Sequence, residues 1–124
     1  MSRPRKHRRV CGLPETNSFG PLNGRGDHKS FIIMTVDEYE TIRLIDFQGL
    51  TQDQCSKQMN IGRTTVQGIY SQARVKIAKS LVEGMPIRIE GGNYKLCNGY
   101  EKTCMGVGCR HRFGWDKTPE GNDF

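Results

Sequence analysis

Residues 51–74 read TQDQCSKQMNIGRTTVQGIYSQAR, and the local signals in this stretch decide the fold. Thr51-Gln52-Asp53-Gln54 has capping-box spacing: the Thr hydroxyl can accept from the backbone N–H three residues on while Gln54 reaches back. A helix is predicted to about Met59, with Cys55 and Met59 at i, i+4 on one face. Asn60-Ile61-Gly62 reads as a tight turn, because Asn and Gly tolerate left-handed and cap conformations. A longer helix starts near Arg63. Val66, Ile69, Tyr70, Ala73, Ile77 and Leu81 fall on its apolar face, and Gly84 with Pro86 ends it. Small residues at Cys55 and Ser56 permit close helix packing, and Ile61 plugs the corner. The pattern is that of a helix-turn-helix.

The second of these helices exposes Arg63, Thr64, Thr65, Gln67, Ser71, Gln72 and Arg74. Such side chains bond to phosphates or to base edges in a major groove. No Asp or Glu occurs between Arg63 and Val82, whereas an ordinary solvent face commonly carries Glu–Lys pairs.

Working outward, Thr35-Val36-Asp37-Glu38 repeats the capping-box spacing. Val36, Tyr39, Ile42 and Ile45 recur at helical intervals, so a first helix is predicted over 36–48, stopped by Gly49. The short apolar run Phe31–Met34 leads into it. Beyond the long helix, Ile87–Glu90, Gly91-Gly92 and Asn93–Leu96 read as a β-hairpin with a two-residue glycine loop. Residues 1–30, punctuated by Pro4, Pro14 and Pro21, are expected to be irregular, as are residues 97–124. The expected fold is therefore mainly α. It has a three-helix core, a C-terminal hairpin and irregular ends, divided as 1–30, 31–84 and 85–124.

The charge is unevenly placed. The 124 residues carry a net +6. Five cations (Arg3, Arg5, Lys6, Arg8 and Arg9) and no acids fall within the first nine positions. Residues 35–48 are acidic, and residues 51–82 are basic. A basic arm beside a basic helical segment is the footprint of a polyanion binder. Arg3, Arg5, Arg8 and Arg9 suit the electronegative minor groove next to a helix-turn-helix site. The start of the chain has no apolar stretch behind its basic residues, so no secretory signal is read there. No apolar run approaches the ~20 residues of a membrane span. A cytoplasmic protein is expected.

The stretch from Thr35 to Leu81 resembles the C-terminal helix-turn-helix of bacterial sigma factors, region 4, which reads the promoter −35 element. Ile61–Val66 and Ala73-Arg74 stand where that motif has its turn and recognition helix; Gly62 replaces its frequent Ser or Thr cap. Over about residues 3–96 the chain more closely resembles the domain of unknown function 134 family, whose members are predicted DNA-binding proteins. The matching residues are Arg3–Lys6, Arg8–Cys11, Leu13-Pro14, Phe19, Pro21, Thr35–Glu40, Ile42–Leu44, Thr51-Gln52, Ala73–Ala78 and Ile89–Gly92. The resemblance implies DNA binding. Many members carry a CxxC-type zinc ribbon at the C-terminus; this chain has no CxxC.

Five cysteines are present, an odd number that argues against a disulfide framework. Cys55 is expected to be a core residue. Cys97-x6-Cys104-x4-Cys109 is interspersed with glycines that let a backbone wrap a metal, with Cys11 or His111 as a fourth ligand. Zinc favours close cysteine pairs, and iron–sulfur clusters accept more irregular loops, so zinc and an iron–sulfur cluster both stay open. No Cys is paired with a His and an acid at recognisable spacing, so an enzyme is not expected. The reading is a sequence-specific, double-stranded-DNA-binding transcriptional regulator with a Cys-rich metal site. RNA polymerase is the further partner that a sigma-like motif brings in. Such regulators are often homodimers, although no long heptad seam is present. The alternative is a module that binds RNA or the transcription machinery.

Overall fold

The computed structural model describes residues 8–23 and 30–96. Thr35, in extended conformation, begins the first helix, and its backbone N–H donates to the Glu38 carboxylate at 2.9 Å. Helix α1 (Val36–Thr41) continues directly into a π-helical segment, Ile42–Phe47. There the N–H of Gln48 reaches the carbonyl of Arg43 at 2.9 Å. The expected first helix thus runs nearly to its predicted end, but its second half is wider than an α-helix. That extra width breaks the 3.6-residue periodicity. Glu40, Thr41, Arg43 and Leu44 are buried, whereas Tyr39, Ile42 and Ile45 are half-buried.

Helix α2 (Gln52–Met59) has the predicted reciprocal cap: the Gln54 N–H donates to Thr51 Oγ1 at 3.0 Å, and the Thr51 N–H donates to Gln54 Oε1 at 2.9 Å. It ends at Asn60, whose φ of 60° is left-handed, a common helix C-terminal conformation for Asn. Helix α3 (Arg63–Glu83) follows after Ile61-Gly62 and stops at Gly84, with φ 69°. Its inner face is anchored by Val66 and Ala73, both fully buried. Leu81, expected on this face, is instead 79% exposed.

Two small sheets complete the described residues. β4 (Ile87–Ile89) is the middle strand of three, antiparallel to β2 (Ser18–Phe19) and parallel to β3 (Ile32–Met34). β1 (Arg8–Val10) pairs in parallel with β5 (Tyr94–Leu96), in the register Val10↔Leu96. The predicted hairpin is therefore corrected: β4 and β5 lie in different sheets. Gly91 and Gly92 do take positive φ, 74° and 106°, but they carry the chain across the start of α1 rather than reversing it. The Gly91 carbonyl accepts from the Val36 N–H at 2.9 Å. A Cβ on Gly92 would lie 2.6 Å from Asp37 Oδ1 and 2.7 Å from Thr35 Cβ. The expectation of an irregular N-terminal segment is likewise corrected at β1 and β2, because strands of the C-terminal segment supply their backbone partners.

The first core cluster joins Val10 of β1, Ile32 and Met34 of β3, Ala73 of α3, and Ile87 and Ile89 of β4. The second joins Leu44, Leu50, Cys55, Met59 and Val66, with Ile61 packed against it from the turn. Val36 of α1 also belongs to the first cluster, and Tyr39 packs against it. The described residues thus form a mainly helical fold of three helices with small flanking sheets.

Candidate nucleic-acid interface

Val66 in the second cluster and Ala73 in the first fix the rotation of α3 about its axis. With 3.6 residues per turn, Thr64, Gln67 and Ser71 then point away from the core. Arg63 and Arg74 border this strip on one side, and Thr65 and Gln72 on the other. All seven are exposed, so the structure brings them onto one outward surface. Three of them, Thr64, Thr65 and Gln67, surround the buried Val66 in the first turns of the helix.

The lateral position of α3 is held by Asp46, at the end of the π-helical segment. Its Oδ1 accepts from the Tyr70 hydroxyl at 2.8 Å, and its Oδ2 lies 3.7 Å from Arg74 Nε. The Arg74 guanidinium also sits 5.5 Å from the Tyr70 ring centroid. Partial burial and the bond to Asp46 raise the Tyr70 pKa. Arg74 is therefore oriented from below while still 63% exposed at its side chain. Lys76 turns inward, with Nζ 2.7 Å from Glu38 Oε1.

The arm residues divide. Arg3 and Arg5 lie outside the described residues. Arg8 Nε is 3.7 Å from Asp37 Oδ2, with most of its side chain covered. Arg9 is 3% exposed. Its Nε donates to the Gln58 carbonyl at 2.9 Å, and its Nη2 to the Lys57 carbonyl at 3.3 Å. These are last-turn carbonyls of α2, at the negative end of the helix dipole; the Lys57 carbonyl also accepts from the Asn60 N–H at 3.2 Å. Arg9 thus closes a helix end inside the fold. It does not share the α3 surface on which the other described candidates stand.

Cys11 is buried. Its Sγ accepts from Gln58 Nε2 at 3.2 Å, and its N–H donates to Glu40 Oε2 at 3.1 Å. Glu40 also takes both bonds of a bidentate pair with Arg43, each 2.9 Å. Burial lowers the Arg43 pKa, but the bonds it donates to Glu40 together with the charge of that carboxylate outweigh burial, and the pKa is raised. This buried polar chain escaped sequence reasoning, since Glu40 and Arg43 look like any i, i+3 surface pair. Cys97, Cys104, Cys109 and His111 lie outside the described residues. Among the described residues no cluster of three or more metal-ligating side chains occurs. Cys11 and Cys97 are the residues that follow the register pair Val10↔Leu96. Cys55, read as core, is buried at 0% exposure. Burial pushes its thiol up to about 12, so it is a neutral thiol at physiological pH.

The family model described as protein of unknown function DUF134 matches residues 1–97, and the chain belongs to this family. It is 55% identical over 126 residues to a UPF0251 protein of Desulfitobacterium hafniense strain Y51, covering 99% of this chain and all of that one. It is 39% identical to a UPF0251 protein of Halothermothrix orenii, covering 99% of this chain and 96% of the relative. A UPF0251 protein of Caldicellulosiruptor bescii is 42% identical, over 97% of this chain and 83% of its own. No solved structure matches the chain. Among the described residues no helix is long and apolar enough to cross a membrane.

Proposed function

We propose that this protein is a sequence-specific double-stranded-DNA-binding transcriptional regulator. In this reading α2 and α3 act as a sigma region 4-like helix-turn-helix, with α3 in the major groove. The observation that carries it is the outward strip Thr64, Gln67 and Ser71, bordered by Arg63 and Arg74 on one side and by Thr65 and Gln72 on the other, on a helix with no acid before Glu83. Donors and acceptors of this kind read base edges, and the cations meet phosphates. Arg3 and Arg5 supply further DNA contacts, and Arg8 and Arg9 anchor the arm. RNA polymerase is the protein partner this reading brings, and a homodimer on a two-fold related site is its expected assembly, in the cytoplasm.

Selection from random duplex and random RNA pools tests the reading. Enrichment of a duplex motif supports it. Enrichment of RNA alone would turn it toward an RNA-binding module.

The same reading places a zinc ion or an iron–sulfur cluster on Cys11, Cys97, Cys104 and Cys109. What supports pairing of the first two is that β1 and β5 pair in parallel, and Cys11 and Cys97 are the next residues in sequence after these strands. Bound metal would tie the base of the arm to the C-terminal segment. Metal content of anaerobically purified Cys→Ser variants tests this. Loss is expected at positions 11, 97, 104 and 109, and retention at 55; a metal-free wild type overturns it.

A further inference from the structure

The first core cluster opens to the surface through a cavity of about 490 Å³ between α1, α3 and the three-stranded sheet. Its floor is Met34, Ile87 and Ile89, all buried core residues. Ile42 of the π-helical segment and Ile77 of α3 form walls, and the 79%-exposed Leu81 stands at the rim. The cavity falls within the range of small-molecule sites.

The lining chemistry specifies the occupant. Among the described residues none that lines it carries a charge, and Tyr39 and Ser80 alone have polar side chains. The Ser80 hydroxyl already donates to the Met85 carbonyl at 2.6 Å. A lining this poor in polar groups offers water few partners beyond other waters, and an ion held against it would meet no counter-charge. We infer that the cavity is a binding site for a neutral, largely apolar small molecule. An occupant would replace missing core contacts and brace the C-terminal half of α3 against β4 and the π-helical segment. The site stands independently of the DNA-binding reading.

The test is titration of the full chain with N-phenyl-1-naphthylamine, a neutral apolar fluorophore, read by emission and by thermal melting. Saturable 1:1 binding, a blue-shifted emission and a raised melting midpoint are expected. Ile77→Trp fills the cavity from its wall and should abolish binding. Leu81→Asp places a charge at the mouth and should weaken binding at least tenfold; its exposure spares the fold. Val75→Asp, on the outer side of α3 and 62% exposed, should leave binding unchanged. Absence of saturable binding to the wild type would overturn the proposal. So would binding that Leu81→Asp leaves intact. Sedimentation showing a dimer whose formation expels the probe would also overturn it, making the opening an interface between copies.

Discussion

Arg9 donates from Nε to the backbone carbonyl of Gln58, 49 positions further along the chain, at 2.9 Å. This bond, with the second one to Lys57, holds β1 against the last turn of α2, immediately before the turn that leads into α3. It makes a residue of the basic N-terminus a structural part of the helical core. Arg9→Met removes the donors to the Gln58 and Lys57 carbonyls; the Lys57 carbonyl keeps its bond from the Asn60 N–H. The expected cost is about 2 kcal/mol of stability, since hydrogen bonds to charged groups contribute roughly 1.5–3 kcal/mol. Arg9→Lys should recover less than half, because an ammonium lacks the planar fork. Urea unfolding midpoints measure both, and a wild-type midpoint for Arg9→Met would refute the role.

Glu40 and Arg43 form a buried pair with side-chain exposures of 0% and 5%. Removing one partner leaves the other charge buried alone. Glu40→Leu and Arg43→Leu should each destabilise by about 3–5 kcal/mol. The double variant Glu40→Leu/Arg43→Leu should recover the part of that loss due to an unpaired buried charge, while the Cys11 N–H, which donates to Glu40, stays without its acceptor. A double-mutant cycle reads the coupling; additive losses would show that the pair does not act as a unit.

Gly91→Ala and Gly92→Ala separate backbone strain from steric conflict. Gly91 has open space around its Cα, so alanine there meets only the positive φ, at about 1 kcal/mol. Alanine at Gly92 also collides with Asp37 and Thr35 at the start of α1. Its loss should exceed that of Gly91→Ala by at least about 1 kcal/mol, measured by thermal unfolding. Equal losses would mean that α1 yields freely at its first turn.

Cys55 gives the stability a defined alkaline dependence. Its thiol is raised from 9.0 to about 12 in the folded state. Between these values the unfolded chain releases the proton and the folded chain keeps it, so stability falls as pH rises. The Cys55 contribution to the slope approaches about 1.4 kcal/mol per pH unit in that window. Stability measured from pH 8 to pH 11 should flatten partly in Cys55→Val. An unchanged slope would show that the thiol ionises without unfolding.

Local signals were the legible part of this fold. Thr51 and Gln54, Asn60 and Gly84 act within one or two helical turns, and the helices they bound begin and end close to where the sequence places them. Cys55 was legible as core because helical spacing puts it beside Met59. Long-range pairing was not legible. Gly91-Gly92 satisfies the backbone needs of a hairpin equally well when it crosses α1, and nothing local distinguishes the two. Burial of Arg9, Glu40 and Arg43 was hidden for a related reason: their partners lie on other elements or across a π turn that shifts the face. On the candidate surface, Arg63, Thr64, Thr65, Gln67, Ser71 and Gln72 were legible from helical phase. The hold that Asp46 and Tyr70 exert on Arg74 was not, because it depends on how α3 docks beside the preceding segment.

The most direct test of the central proposal is the affinity of Arg63→Ala and Gln67→Ala for a duplex selected by the wild type. Each should bind about 5- to 150-fold more weakly, corresponding to roughly 1–3 kcal/mol, and lose base preference at one position. Deleting residues 1–7 should instead lower affinity across all sequences and flatten the salt dependence. Wild-type affinity and selectivity in both α3 variants would contradict a DNA-reading role for this helix.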